Sequence, residues 1–139
     1  MVLVKGRVLV PGSAFGPLLR LRHAISFWGG VDPKTGRVCD PRHPDHGVCI
    51  TGAILALPAA IGSSSSSAVM LELIREERAP AGLIMGTADA IVALGVLVAG
   101  ELGLPTLPVL EVAWAAVEDL PEGEIDIAED GTIQRMAER

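Results

Sequence analysis

Residues 54–74 read ILALPAAIGSSSSSAVMLELI, and the passage from aliphatic run through glycine and serines to a second aliphatic run decides the fold. A serine tract in a flexible linker lies among polar, low-complexity sequence, whereas this one is flanked on both sides by residues that need burial. Residues 54–58 read as a strand and residues 68–74 as a helix. The five serines that follow Gly62, from Ser63 through Ser64 and Ser65 to Ser67, therefore sit at a fixed strand-to-helix junction. Such a junction presents free backbone N–H groups and side-chain oxygens to an anionic ligand. Serine is also a favoured helix cap that needs no ligand, and capping alone is the simpler account of these residues by themselves.

Downstream, Val69, Leu71, Leu73 and Ile74 alternate with Glu72, Arg75, Glu76 and Glu77 in a helix that Pro80 is expected to stop. Residues 82–85 form a short apolar strand. Thr87 or Asp89 caps a helix running to about Leu102 and ended by Gly103, and residues 107–112 are another buried strand. This strand–helix alternation from 54 to 112 implies right-handed crossovers and a parallel central layer. Residues 124–127 and 132–135 alternate around Glu129, Asp130 and Gly131 as a terminal β-hairpin. Upstream, residues 2–10 and 17–21 read as strands joined by a turn at Pro11 and Gly12, and residues 48–51 and 53–58 as two more. The terminal strands add antiparallel structure. With no internal repeat and no linker, residues 1–139 are expected to form one α/β domain.

Half of the 139 residues are hydrophobic and only 3% aromatic, so the interior should be aliphatic, as in sheets covered by helices. A net charge of −6 without a basic stripe argues against nucleic-acid binding. The longest apolar stretch, residues 90–99, is too short to span a bilayer, and the first ten residues lack the apolar core of a signal peptide. A cytoplasmic, membrane-free protein is the expectation. Cys39 and Cys49 lack the close pairing of a metal site and are read as reduced thiols.

Residues 23–47 are rich in glycine and proline and weakly periodic, yet they contain Phe27 and Trp28. A loop this long in a small domain is usually disordered or functional. Its core, SFWGGVDP at residues 26–33, pairs two aromatics with two glycines that let a backbone approach a ligand. It could equally tuck its own aromatics into the core and turn at Asp32 and Pro33. His43 and His46 could act as acid, base or ligand, or serve as structural hydrogen-bonders, and Asp32 and Asp40 stand likewise. Asp89 is most simply a cap. Serine-hydrolase, P-loop and dinucleotide signatures are missing.

Taken in order, residues 26–33 with Thr35 and Gly36, then Asp40, His43, Pro44 and Gly47, then Leu57, Pro58, Gly62, Ser63 and Ser67, the helix at residues 71–73, Ala79, Pro80, Leu94 and Gly95 resemble the small, swivel-domain subunit of aconitase X enzymes over nearly the full chain. The resemblance implies a swivelling β/β/α domain like the last domain of aconitase, closing on a separate large subunit. It implies dehydration of a hydroxy acid between the two subunits, with this chain active only in the complex. No metal or cofactor is expected on this chain, and an iron–sulfur cluster or divalent metal is expected on the large one. By the same resemblance Ser63 is the general base, Ser64 and Ser65 donate to a substrate carboxylate, and Gly62, Ser26, Trp28, Gly29, Gly30, Asp32 and His43 contact the substrate. Of two branches, cis-3-hydroxy-L-proline dehydratases and phosphomevalonate dehydratases, the carboxyl-terminal half looks more like the former. A ligand-binding or regulatory swivel module without chemistry is the reading from another class. One departure stands out: the arginine common before this glycine is Ile61 here, so Arg20, Arg42 or the partner would have to replace it.

Overall fold

The computed structural model describes residues 2–62 and 64–136. The amino-terminal arm forms β1 (Val2–Lys5) and β2 (Arg7–Val10), split at Gly6, and β3 (Ala14–Arg20) follows. The glycine-rich segment contains one distorted turn, α1 (Phe27–Gly30), and two short strands, β4 (Val31–Asp32) and β5 (Arg37–Val38). Then come β6 (Ile54–Ala59), α2 (Ser66–Arg75), β7 (Gly82–Thr87), α3 (Ala90–Glu101) and β8 (Val109–Glu111). The chain continues through α4 (Trp114–Glu118) into the hairpin of β9 (Glu124–Ile127) and β10 (Thr132–Arg135).

The main sheet runs β1-β10-β9-β3-β6-β7-β8-β2. β3, β6, β7 and β8 are parallel neighbours, and the strands beyond them at either end pair antiparallel. β1 and β2 stand at opposite edges although only Gly6 separates them. The sheet therefore curls until its edges meet, which shields both from outside pairing. At the seam the Gly6 N–H donates to the Gly131 carbonyl at 2.9 Å. Gly131 has a φ of +89°, and a Cβ on it would lie 2.6 Å from the Gly6 carbonyl oxygen.

Continuous aliphatic strands arise because each face of the central layer has its own core. Leu55, Leu57 and Met85 face α2 and α3, where Met70, Leu73, Val92 and Val96 are fully buried. Ile54, Ala56, Ile84 and Leu110 face the opposite way, onto Val117, Ile125, Ile127 and Ile133. The result is the β/β/α layering expected, with an aliphatic interior. Helices α2 and α3 touch at backbone distance, since a Cβ on Gly95 would lie 2.5 Å from the Ser67 carbonyl oxygen.

Four details differ from the sequence reading. Residues 2–10, expected as one strand, break at Gly6 into β1 and β2 at opposite edges of the sheet. Residues 48–51 make no named strand. Between Gly47 (φ +89°) and Gly52 (φ +74°) only the single bridge Cys49–Arg37 forms, beside the two-residue β5, so there is no ladder to extend. Helix α2 ends at Arg75, before Pro80 can act. Glu77, at φ +59°, turns the chain left-handed, and the Arg78 N–H closes back on the Leu73 carbonyl at 2.8 Å. The five-residue α4 was not anticipated, because one turn carries too little periodicity to register. The terminal hairpin falls where the alternation placed it, and Asp89 rather than Thr87 caps α3, accepting from the Ile91 and Val92 N–H groups at 2.8 and 3.2 Å.

Candidate functional site

In open parallel sheets ligands gather beyond the carboxyl ends of the strands. At that end of β6 the chain runs through Ala60 and Ile61 to Gly62, alongside residues 25 and 26. The Ile25 N–H donates to the Ala59 carbonyl at 3.3 Å and the Ile61 N–H to the Ile25 carbonyl at 3.0 Å. This pairing presses Ser26 onto Gly62: a Cβ there would lie 2.6 Å from the Ser26 Oγ, and the φ of +96° is itself one that glycine tolerates best. The Ser26 hydroxyl donates to the Trp28 carbonyl at 2.8 Å. The aromatic pair then divides, with Phe27 fully buried as an anchor and Trp28 59% exposed. Phe27 thus follows the packing reading, and Trp28 stays at the surface.

These residues line a cleft of about 590 Å³ formed by Ser26, Trp28, Gly29, Gly30, Asp40, Pro41, Arg42 and Gly62. The loop bearing Asp40 is tied to the glycine turn by the Cys39 N–H, which donates to the Gly30 carbonyl at 2.8 Å. The Asp40 carboxylate accepts from the Arg42 backbone N–H at 2.9 Å and lies 3.6 Å from its Nε. That backbone hydrogen bond first, and the guanidinium charge after it, hold the Asp40 carboxyl below the usual carboxylate range. The Arg42 side chain is itself almost wholly exposed, and among the described residues the cleft holds one guanidinium and one carboxylate.

Of the residues expected at the site, Gly62, Ser26, Trp28, Gly29 and Gly30 are brought together here. Ser63 lies outside the described residues. Ser64 and Ser65 form the turn entering α2, where the Ser64 carbonyl accepts from the Ser67 Oγ at 3.1 Å and the Ser65 carbonyl from the Ala68 N–H at 3.0 Å. Ser66, which sequence reasoning did not single out, is buried with its Oγ unpartnered. Asp32 is not among the cleft residues. Its side chain accepts from the Lys34 N–H at 2.9 Å and its carbonyl from the Gly36 N–H at 2.8 Å, which closes the β4–β5 turn. His43 is also absent from the cleft and is buried. Its Nδ1 accepts from the Asp45 N–H at 3.0 Å, which leaves Nε2 to face the His23 carbonyl at 3.4 Å.

Ile61 is 54% exposed, and of the two arginines considered in its stead only Arg42 reaches the cleft. Arg20 turns away, donating from Nη2 to the Leu120 carbonyl at 2.6 Å. Both cysteines are free thiols. Burial, and then the Asp32 charge, raise that of Cys39, whereas the Thr51 hydroxyl lowers that of Cys49. Among the described residues no three His, Cys, Asp or Glu side chains cluster to hold a metal ion, and no helix is long and apolar enough to cross a membrane.

The curled β/β/α layering carries an open cleft at the carboxyl ends of its parallel strands and defines a mixed α/β domain. Residues 3–134 match the aconitase X swivel domain, and the chain belongs to that family. It is 40% identical over 132 residues to the cis-3-hydroxy-L-proline dehydratase of Hypocrea jecorina, covering 95% of this chain and 22% of that protein. The chain thus spans about a fifth of the length of that relative. It is 39% identical over 132 residues to the phosphomevalonate dehydratase small subunit of Methanothermobacter thermautotrophicus, covering 92% of this chain and 95% of that one. Among solved structures, the fold superposes on the crystal structure of Thermococcus kodakaraensis aconitase X (holo-form) with a TM-score of 0.83 and 33% identity, covering 96% of this chain and 97% of that one.

Proposed function

We propose that this chain is the swivel subunit of an aconitase X-type hydro-lyase that, joined to a large subunit, dehydrates a hydroxy acid, with cis-3-hydroxy-L-proline as substrate. The carrying observation is the charge pattern of the Gly62 cleft, where one guanidinium and one carboxylate stand beside an exposed indole. A zwitterionic ring acid matches it: carboxylate to Arg42, ring ammonium to Asp40, and ring carbons over Trp28. A phosphorylated hydroxy acid brings two anionic groups to the same single guanidinium and meets Asp40 as a like charge. Trp28 then also serves as a wall that the large subunit covers.

In this reading Ser63 takes the proton from the carbon next to the substrate carboxylate. The carbon–oxygen bond on the neighbouring carbon breaks as a double bond forms between the two carbons, and the departing hydroxide takes up a proton, so that one water is lost overall and the serine proton returns to solvent. The first turn of α2 favours the serine oxygen's negative charge, and Ser64 and Ser65 donate to the substrate carboxylate. The proposal assigns the iron–sulfur cluster or divalent metal to the large subunit. Co-expression with an aconitase X large subunit tests it. The chain alone should be inactive, the complex should dehydrate cis-3-hydroxy-L-proline in preference to mevalonate 5-phosphate, and Ser63→Ala should abolish turnover. Near-wild-type turnover in that variant removes Ser63 from the mechanism, and a preference for the phosphate ester reverses the substrate. Exposed Ile61 in the arginine's place favours one second reading, a binding module without chemistry. Such a module would bind hydroxy acids in calorimetry with no large subunit present and stay inactive in the complex.

A further inference from the structure

A second, smaller cavity of about 120 Å³ lies on the other face of the central layer, lined by Arg20, Arg22, Trp114 and Glu118. Arg20 is the last residue of β3, and Trp114 and Glu118 open and close α4. The neighbouring Val117 and Leu120 belong to the core beneath β9 and β10, whereas Ile25 and Phe27 beside the Gly62 cleft belong to the core beneath the helices. Trp114 is seated by a glycine, since a Cβ on Gly86 would lie 3.2 Å from the Trp114 Cβ. Roughly 15 Å³ of such space holds one water, so this cavity admits a molecule of several heavy atoms.

The Arg20 side chain is 11% exposed, held by the Leu120 carbonyl and, at 3.6 Å, by Glu122, and forms the fixed inner wall, with its unpartnered Nε–H shut off from water-sized contact. Arg22 and Glu118 face the same cavity with opposite charge, and no ion pair joins Glu118 to either arginine. Opposite charges that share a cavity without meeting are complementary to a ligand carrying both signs.

We propose that this cavity binds a small zwitterionic α-amino acid, with its carboxylate on Arg22, its ammonium on Glu118, and its carbon skeleton against the Trp114 indole. A compact side chain is required by the volume. The inference does not depend on the chemistry assigned to the Gly62 cleft. L-proline is the probe, titrated into ¹⁵N-labelled full-length chain, with the two indole N–H resonances assigned through Trp28→Phe. The Trp114 resonance should shift saturably, and Arg22→Ala and Glu118→Gln should each weaken binding roughly tenfold or more, the loss of one charge-assisted hydrogen bond. Both substituted residues are exposed, and an unchanged unfolding midpoint verifies the fold of each variant. Acetate and inorganic phosphate, which carry only the negative charge, should bind more weakly than L-proline. The proposal fails if L-proline gives no saturable shift, if the shift is confined to Trp28, if acetate or phosphate binds as tightly, or if neither substitution weakens binding.

Discussion

Gly95→Ala separates local helix preference from tertiary contact, because the two predict opposite signs. Inside a helix alanine is favoured over glycine by about 1 kcal/mol, so α3 considered alone should gain stability. The structure reverses this. An added Cβ would sit 2.5 Å from the Ser67 carbonyl oxygen, 3.0 Å from the Met70 Cβ and 3.2 Å from the Ser67 carbonyl carbon. A relaxed carbon–oxygen contact needs roughly 3.3 Å, so α2 must withdraw by roughly 0.8 Å. Two of the three atoms are backbone and cannot rotate away. Overpacking of this kind costs roughly 1–3 kcal/mol. Net of the helix gain, a destabilisation of about 0–2 kcal/mol is expected, or a thermal midpoint lowered by up to about 7 °C at this chain length. Urea unfolding of Gly95→Ala beside Gly100→Ala is the assay. At Gly100 the nearest atom is the Thr106 methyl at 3.0 Å, a side-chain end that can yield, so that variant should be neutral or slightly stabilised. Ser64 and Ser65 form the turn that enters the displaced helix, so under the proposed function activity of the complex should fall with stability. A Gly95→Ala protein about 1 kcal/mol more stable than the parent, the gain of the helix considered alone, would refute the close approach of the two helices.

The carboxyl group of Glu111 is held below its ordinary range, first by the Arg7 guanidinium at 2.8 Å and then by the Ala88 N–H at 2.8 Å. A depressed folded value means that its stabilisation is complete above the unfolded glutamate value, roughly 4.3, and is lost as pH falls through the folded value. Urea midpoints between about pH 6 and 3 should therefore fall less steeply in Glu111→Gln than in the parent, and parallel curves would remove this group from the acid response. Asp89→Ala removes both acceptor contacts at the start of α3 and should cost about 1 kcal/mol, read as a midpoint lowered by about 3 °C in thermal circular dichroism. An unchanged midpoint would show that the cap contributes nothing.

Legibility followed the range of the forces involved. The parallel centre could be read from residues 54–112 because alternating buried strands and helices admit few topologies. The terminal hairpin was equally plain, since Glu129, Asp130 and Gly131 mark a turn in sequence alone. The seam at Gly6 and Gly131 was hidden, because these two glycines meet only after the whole sheet has curled. Within the site, the Ser26–Gly30 turn and Gly62 stood out through their unusual local chemistry. Asp32 and His43 carry the same chemistry but spend it on a turn and on a buried loop. Residue type cannot distinguish these uses, since only the partners of each polar atom do. Arg20 and Arg42 were indistinguishable as stand-ins for an arginine at position 61. The structure separates them, because the end of β3 points one to Leu120 while the loop after β5 carries the other to the cleft.

Moving the cation from the strand-to-helix junction to the Asp40 loop changes how a substrate would be held. An arginine at position 61 would follow directly from β6, whereas Arg42 rides on a loop joined to the glycine turn through the Cys39 N–H. In the open chain its Nε stands 3.6 Å from Asp40, an exposed ion pair of the kind that is worth about 0–1 kcal/mol. A substrate carboxylate that engages the guanidinium in two parallel hydrogen bonds outweighs that contact, and more so once a second subunit excludes water. The exchange frees Asp40, whose own N–H contact from Arg42 keeps its carboxyl ionised. A released carboxylate beside a bound carboxylate is favourable only if the ligand also brings a positive charge. Under the proposed function, replacing a fixed arginine by the Asp40–Arg42 pair would narrow the acceptable acids to those bearing an amino or imino group, and Asp40→Asn should relax that selectivity while leaving the carboxylate contact in place.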